Sequence, residues 1–288
     1  MARVHIVTDS DAQLDADTAQ RLGVTVMPIT VKVGEEFYQD IEGRYNEELL
    51  LRMKAERVVP EIVGPTEAEF RTLFSRLSRT TNQIVAIHSS GCLSNIIRNA
   101  RNAALEFLGR CDIVIVDSQS TSLGLSILVR EAATMALGGA NREEILRYVR
   151  GMIHRIYVVM FTESLDYLER SGRISPAQCI LGTMLDIRPF LSIEDGEIIP
   201  MEKVRSREKG LDKLAEFIGE FSSIETAAIL QSTSAVTDET ANLRERLQGF
   251  FPDKEFPIVV YGPLLAARVG PDGLGLVTYE GMGEQESP

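Results

Sequence analysis

The sequence is poor in the residues that form disulfides and metal sites. It has three cysteines and three histidines, and none of them has a spacing that suits zinc. The odd number of cysteines and the absence of a Cys-x-x-Cys pair are typical of a reduced, cytoplasmic protein. We therefore expect a cytoplasmic location and no bound metal.

A surplus of basic residues and a long apolar run are also missing. The formal net charge is −12 over 288 residues, so the chain has no excess of cations to neutralise the phosphates of a nucleic acid. No uninterrupted apolar run approaches the roughly 18 residues of a membrane-spanning helix, and the first residues lack the apolar core of a signal peptide. The sequence thus predicts a globular protein with no nucleic acid partner and no stable membrane insertion.

The common enzyme motifs are absent as well. There is no Walker A motif, and the glycines of Gly270–Gly275 follow the wrong order of elements for a dinucleotide loop. A Ser or Cys hydrolase remains an alternative, because His88 and Ser90 could share one face of an extended segment near Asp117, and Cys92 could be a thiol nucleophile. No G-x-S-x-G motif supports this alternative.

The first half of the chain alternates strands with helices. Short β-branched runs predict strands at Val4–Thr8, Ile84–Ile87 and Asp112–Val116, and a helical pattern follows each of them. Such alternation predicts a parallel sheet with right-handed crossovers. A further extended segment, Val24–Val33, is interrupted at Pro28. We expect an α/β domain over residues 1–156.

The pattern changes after a strand at Tyr157–Phe161. Asp195-Gly196 lies between two extended runs and predicts a hairpin, and we expect helices near Leu211–Ile218 and Thr237–Leu247. The fold class expected for the chain is α/β, with a parallel-sheet N-terminal domain and a second, α+β C-terminal domain over residues 157–282. The polar residues 283–288 are expected to form a mobile tail.

Three predicted strands run into polar residues at their carboxyl ends. These ends are Thr8-Asp9-Ser10, His88-Ser89-Ser90 and Asp117-Ser118. Ligands of open α/β sheets bind outside the carboxyl ends of the strands. The middle end also opens a helix near Ser94, where unpaired backbone amides favour an anion. The pattern predicts a site for a polar ligand group, and an ordinary strand–helix connection is the simpler alternative.

Seven stretches of the chain carry a resemblance to a known family. They are TDSD near the start, GPTEAEF, SSGCLSN, VDSQSTSLG, YLERSGRIS, IRPFLSIEDGEIIPMEKVRSREKG and GPLLAARVGPDGLGL. In this order they resemble the DegV family of bacterial fatty-acid-binding proteins, over about Val4 to Tyr279. The stretch YLERSGRIS and the hairpin with its basic continuation are the most specific of them.

The resemblance implies a DegV-like two-domain (EDD) fold and a non-catalytic acyl carrier. The implied ligand is a long-chain fatty acid, with no cofactor, and the implied partner is a DAK-type fatty acid kinase subunit that phosphorylates the presented carboxylate. About fifteen methylenes gain ~12 kcal/mol gross on leaving water, at roughly 0.8 per CH₂, before the costs of binding. A lipid or metabolite sensor without a kinase is the other alternative to a hydrolase.

The resemblance places the carboxylate site where this sequence departs from the family. The family's Thr-Ser pair ahead of the proline in GPTEAEF is Ile62-Val63 here, and its histidine before the C-terminal glycine-rich turn is Arg268. The serine turn is retained in part. The ligand-binding residues that the resemblance implies are Ile62, Ser90, Gly91, Ser94, Ser118, Arg173 and Arg268.

Arg268 is the main change at this site. An arginine stays charged at neutral pH and can bind a carboxylate through two nitrogens. We hypothesise that Arg268 holds the carboxylate together with backbone amides near Gly91 and the hydroxyl of Ser90 or Ser94.

The alternative is that Arg268 pairs with an acid of the chain itself, such as Asp272 or Asp9. In that case the carboxylate site is degraded.

Other arginines are the expected partner-binding residues, namely Arg170, Arg205 and Arg207. Arg170 and Arg173 flank Gly172, and they could meet the kinase or simply complement a helix dipole. Basic residues recur at every second position from Lys203 to Lys209, and we expect this stretch to be extended. One face of it would then be basic, which suits an acidic partner or an ordinary solvated surface.

Overall fold

The computed structural model of the protein describes residues 3–40 and 45–282. These residues divide into two compact units, unit 1 with residues 3–40 and 61–154, and unit 2 with residues 45–60 and 155–282. The boundary after His154 lies close to the predicted one. The segment Tyr45–Pro60 belongs to unit 2 although it precedes that boundary in the chain. The sequence prediction, which used one boundary, places it in the first domain. The predicted tail, 283–288, lies outside the described residues.

The strands of the described chain are short. In chain order they are β1 His5–Asp9, β2 Val24–Met27, β3 Ile29–Val33, β4 Glu36–Asp40, β5 Glu61–Val63, β6 Gln83–His88, β7 Asp112–Asp117, β8 Ile156–Phe161, β9 Arg188–Glu194, β10 Glu197–Val204, β11 Thr226–Gln231, β12 Ile258–Val260 and β13 Leu274–Tyr279.

The helices occupy the connections between these strands. They are α1 Ala16–Leu22, α2 Asn46–Glu56, α3 Glu67–Leu77, α4 Ile96–Leu105, α5 Ser122–Leu137, α6 Arg142–Ile153, α7 Asp166–Arg170, α8 Pro176–Met184, α9 Arg207–Gly219, α10 Asp238–Phe250 and α11 Pro263–Val269. A 3-10 turn, Ser10–Ala12, follows β1.

Unit 1 is built on a four-stranded sheet in the order β2-β1-β6-β7. All of its pairings are parallel, as predicted. The carboxyl ends of β1, β6 and β7 therefore lie side by side, and His88 is in register with Asp117. This adjacency confirms that the three polar strand ends form one edge.

The predicted segment Val24–Val33 is divided between two sheets. Pro28 separates β2 from β3, since a proline has no N–H to donate to a ladder. β3 then pairs antiparallel with both β4 and β5 in a second, three-stranded sheet. The sequence pattern did not predict β4 or the three-residue β5.

Helices α3 and α4 cover one face of the four-stranded sheet. Phe70 and Phe74 of α3 are fully buried, and they pack with Ala100 of α4 and Ile84 of β6. A capping box fixes the start of α3, because the Thr66 side chain accepts from the Glu69 amide at 3.3 Å and the Glu69 carboxylate accepts from the Thr66 amide at 2.7 Å. This helix thus begins where its sequence dictates.

Unit 2 contains a six-stranded mixed sheet in the order β10-β9-β8-β13-β11-β12. The predicted hairpin joins β9 to β10, and its Asp195-Gly196 turn has positive φ at both residues, which Asp-Gly tolerates well. Helices α9 and α10 pack on this sheet through a core that includes Phe161, Leu214 and Leu243. The short helix α11 was not predicted.

The extended basic stretch predicted for Lys203–Lys209 is wrong. Strand β10 ends at Val204, and α9 begins at Arg207 with Ser206 as its N-cap. The Ser206 hydroxyl accepts from the Lys209 amide at 3.2 Å. A serine followed by strong helix formers is a helix start, so the every-second-residue arrangement of the basic side chains does not exist.

Two helical glycines of unit 2 provide a matched test of this packing. A Cβ added at Gly210 would lie 2.5 Å from the Phe161 ring, whereas one added at Gly249 would meet nothing within 4 Å. Because Phe161 is fully buried, we expect Gly210→Ala to lower the free energy of unfolding by about 1–3 kcal/mol through overpacking. Gly249→Ala should raise it by up to about 1 kcal/mol. Chemical denaturation measures both, and equal effects would contradict the packing described.

Candidate functional site

A buried carboxylate, Asp9, joins the ends of β1 and β6. Its Oδ2 accepts from the Ser89 amide at 2.9 Å and the Ser89 hydroxyl at 3.1 Å, and it lies 3.0 Å from Nδ1 of His88. Its Oδ1 accepts from the Asp11 amide at 3.1 Å. Asp9, His88 and Ser89 are fully buried. A carboxylate removed from water needs this many donors, so the ends of the two strands are fixed relative to each other.

A second buried carboxylate, Asp11, reaches the start of α5. Its Oδ2 accepts from the Thr121 hydroxyl and from the Ser122 amide at 3.0 Å. Burial and the nearby charge of Asp9 raise the pKa of Asp11 to about 7, against the opposing effect of the Thr121 and Ser122 hydrogen bonds. Asp11 is therefore largely protonated in slightly acidic solution.

The backbone amides of the serine turn all donate within unit 1. The Ser90 amide donates to the Ser120 carbonyl at 2.9 Å, the Gly91 amide to the Asp117 carboxylate at 3.2 Å and the Cys92 amide to the Ser90 hydroxyl oxygen at 3.1 Å. The hypothesis that amides near Gly91 hold the ligand stays a prediction, and it would require these amides to exchange an internal acceptor for the carboxylate. An amide with a good internal acceptor gains little by exchanging it for another.

Gly91 has a role in the turn itself. A Cβ at this position would lie 2.8 Å from Asp117 Oδ2, so the absence of a side chain lets the carboxylate approach the amide. The same carboxylate accepts from the Gln119 amide at 3.0 Å. Asp117 thus serves the loop after β7 and the turn after β6 together.

The hydroxyls expected to bind the ligand differ in what they do. Ser118 is buried, and its hydroxyl donates to the Ser120 carbonyl and accepts from the Ser120 amide, both at 3.1 Å. These bonds stabilise the loop, and the predicted role of Ser118 in ligand binding stays a prediction. Ser94 is half-buried and accepts from the Ile96 amide at 3.3 Å. Ser90 is fully buried. Ser90 and Ser94 remain predicted ligand residues.

The hydrolase alternative has no support in this arrangement. The His88 ring is fully buried and contacts Phe70 edge-on, with 5.2 Å between ring centroids. Its Nε2 has no hydrogen-bond partner anywhere in residues 3–40 and 45–282, so no Ser90–His88 bond exists. Cys92 is exposed. A nucleophile needs a base within hydrogen-bond reach, and His88 Nε2 makes no such bond to Ser90 or Cys92 in the described residues.

Ile62 lies at the centre of β5, opposite Val31 of β3. It is half-buried and packs against the core that holds Phe70 and Phe74. Its apolar side chain suits contact with methylene groups rather than with a carboxylate, which agrees with the loss of the family's hydroxyls at this position.

Two arginines of unit 2 interact electrostatically. Arg268 lies in α11 and is half-buried. Burial, together with the charge of Arg173, lowers the pKa of its guanidinium. Arg173 also forms an ion pair with Glu197 at 3.5 Å. A lowered guanidinium pKa indicates a place where an added anion is stabilised.

The proposed internal partners of Arg268 have other partners. Asp272 forms an ion pair with Lys54 at 2.6 Å, and Asp9 accepts from His88 and Ser89 as described above. The alternative in which Arg268 pairs with Asp272 or Asp9 stays a prediction, for acids that already have these partners.

The predicted partner-binding arginines fall into two kinds. Arg170, at the end of α7, and Arg205, between β10 and α9, are exposed. Arg207 instead forms ion pairs with Glu163 at 2.8 Å and Glu239 at 2.5 Å, which gives it a role inside unit 2. Partner binding by Arg207 stays a prediction, for a side chain that already forms these ion pairs.

A polar cavity of about 390 Å³ adjoins Arg207. Lys54, Glu163, Glu239 and Asp272 line it, and sequence reasoning did not predict it. Its cations are paired with its carboxylates. Across the described parts of the chain, no three His, Cys, Asp or Glu side chains are grouped to hold a metal ion, and none of the helices has the length and apolar content to cross a bilayer.

Comparison with known proteins identifies the family. A model of the DegV family, whose description is that of uncharacterised proteins, matches residues 3–281. The chain belongs to the DegV family. A DegV domain-containing protein of Halalkalibacterium halodurans is 30% identical to it over 97% of this chain and 99% of its own.

Solved DegV structures have the same fold. A DegV family protein from Thermus thermophilus, described by its fatty acid binding, superposes with a TM-score of 0.82 at 28% identity, over 96% of this chain and 99% of its own. A fatty acid binding DegV family protein from Streptococcus agalactiae superposes with a TM-score of 0.84 at 23% identity, over 98% and 100%. The two-domain DegV fold expected from the sequence is thus confirmed.

The raised pKa of Asp11 predicts a pH dependence of stability in this DegV protein. The pKa is about 7 in the folded chain against an ordinary 3.8, so the folded state binds the proton more tightly than the unfolded state. The contribution of Asp11 to the free energy of unfolding is on the order of 4 kcal/mol. It is complete below about pH 4 and is lost as the pH rises through 7. Denaturation of wild type and Asp11→Asn between these pH values should show this extra decline in the wild type only. Parallel curves would contradict it.

Proposed function

We propose that the chain is a non-catalytic fatty-acid-binding protein. The observation that carries this proposal is the match, at 28% identity and a TM-score of 0.82, to a DegV protein whose fatty acid binding has been described. That match covers nearly the whole of both chains, so it concerns the complete fold and not a shared module.

The carboxylate is the part of a fatty acid that requires specific partners. A carboxylate taken out of water is stabilised by a guanidinium that forms charge-assisted hydrogen bonds. Arg268 suits this role because burial and Arg173 disfavour its charge in the absence of an anion. We infer that Arg268 is the principal cation for the carboxylate, with Arg173 as the second.

Presentation of the bound acid to a DAK-type fatty acid kinase subunit completes the proposal. Its support is the resemblance of the motifs, above all YLERSGRIS. The exposed Arg170 and Arg205 are available to such a partner. A sensor without a kinase is the remaining alternative, and formation of acyl phosphate from the loaded carrier by the host's own kinase distinguishes the two.

The proposal predicts a bound fatty acid in the purified protein. Extraction and lipid mass spectrometry should find about one long-chain fatty acid per chain. Because a hydrogen bond to a charged group contributes roughly 1.5–3 kcal/mol, Arg268→Ala should weaken fatty acid affinity about 10- to 100-fold. The affinity of Arg268→Lys should lie between those of the wild type and Arg268→Ala, because lysine keeps the charge but cannot bind the carboxylate through two nitrogens.

An exposed arginine of α6 provides the control. Arg147→Ala removes the same charge from the surface and should leave the affinity unchanged. Absence of fatty acid from the wild type, or equal affinity in Arg268→Ala and wild type, would overturn the proposed role.

A further inference from the structure

The arginines of unit 1 are concentrated in one part of the sequence. Residues 71–110 contain six arginines and a single acidic residue, Glu106, in a chain whose net charge is −12. These residues include most of α3 and the whole of α4. This part of the chain therefore has a local excess of positive charge, although the net charge of the whole chain is negative.

Four of these arginines line one open groove of about 510 Å³ between α3 and the end of α4. They are Arg71, Arg76, Arg79 and Arg110. Arg71 is paired with Glu67 at 2.6 Å and with Glu106 at 3.1 Å. Arg110 lies over the Phe107 ring at 5.2 Å. Arg76 and Arg79 are exposed, and their side chains form no hydrogen bond or ion pair with any residue that the structure describes.

The exposed face of α4 continues this surface. Arg98, Arg101 and Leu105 recur at helical spacing and are all exposed. Leu105 is 63% exposed and Leu108, in the turn that follows, is 75% exposed. The guanidinium groups of Arg98 and Arg101, like those of Arg76 and Arg79, make no ion pair within the described residues. We call Arg76, Arg79, Arg98, Arg101, Leu105 and Leu108 the α3–α4 surface.

We propose that the α3–α4 surface docks the protein on an anionic lipid bilayer. Unpaired guanidiniums are attracted to anionic headgroups, and each cation near such a surface strengthens binding by about fivefold. The two leucines favour lipid over nucleic acid or an acidic protein, because exposed apolar side chains gain by entering the boundary between headgroups and acyl chains. This is peripheral docking without a membrane-spanning segment, and it does not depend on the proposed fatty acid binding.

Sedimentation of the full-length chain with vesicles tests the proposal. One vesicle type contains equal parts phosphatidylglycerol and phosphatidylcholine, and the other contains phosphatidylcholine alone. Wild-type protein should bind the anionic vesicles at low salt, bind them less at high salt, and not bind the neutral vesicles. Arg76→Gln with Arg79→Gln should reduce binding roughly 25-fold, from about fivefold for each arginine.

A second variant tests the apolar part. Leu105→Ser with Leu108→Ser should reduce binding to anionic vesicles about tenfold or more. Both leucines are exposed, so circular dichroism and thermal unfolding should match the wild type. Arg147→Gln with Arg150→Gln is the matched control, because these arginines are exposed on α6 at the same spacing as Arg98 and Arg101, and it should bind normally.

Several outcomes would overturn the proposal. They are absence of binding to anionic vesicles, equal binding to neutral vesicles, and equal losses in the test and control arginine variants. Unchanged binding of the leucine variant to anionic vesicles would also contradict it. Preference for RNA or an acidic protein over vesicles would assign the surface to another partner. The exposed apolar residues of α8, such as Ile180 and Met184, have no cations within that helix, so binding through them would not distinguish the two vesicle types. Fatty acid content, measured in the same variants, should be unchanged.

Discussion

The buried carboxylate of Asp9 is the interaction on which the organisation of unit 1 depends. It accepts four hydrogen bonds. Three come from His88 and Ser89 at the end of β6, and one comes from the Asp11 amide in the turn after β1. A carboxylate in an apolar interior is tolerated only when it is fully satisfied. These hydrogen bonds therefore hold the strand ends in this arrangement, and the serine turn begins at a fixed position as a result.

The internal hydrogen bonds of the serine turn limit what its backbone amides can bind. Asp117 accepts from the Gly91 amide and Ser120 accepts from the Ser90 amide, so the backbone groups that make many strand–helix turns into anion sites are already used. Ser90 and Ser94 stay predicted ligand residues. We propose that the negative charge of the ligand is recognised by the Arg268 guanidinium, whose pKa is lowered by burial and by the charge of Arg173.

The sequence predicts those parts of the fold that depend on local signals. The parallel sheet follows from strand–helix alternation, the start of α3 from Thr66 and Glu69, and the β9–β10 turn from Asp195-Gly196. Parts that depend on distant partners were not predictable. β5 has only three residues and is defined by its pairing with β3, and the membership of Tyr45–Pro60 in unit 2 is set by tertiary contacts. Asp117 was recognised as a polar strand end, but its use by an amide 26 residues away required the coordinates.

The central claim is that a guanidinium, and not a nest of backbone amides, holds the fatty acid carboxylate. The most direct test is NMR of oleic acid labelled with carbon-13 at its carboxyl group and bound to the protein, with the carboxyl resonance followed against pH. The account predicts a bound resonance whose pKa lies below that of a free carboxyl group in wild type and rises in Arg268→Ala, because a nearby cation favours the charged form. A bound carboxyl whose pKa is the same in both proteins would contradict the account.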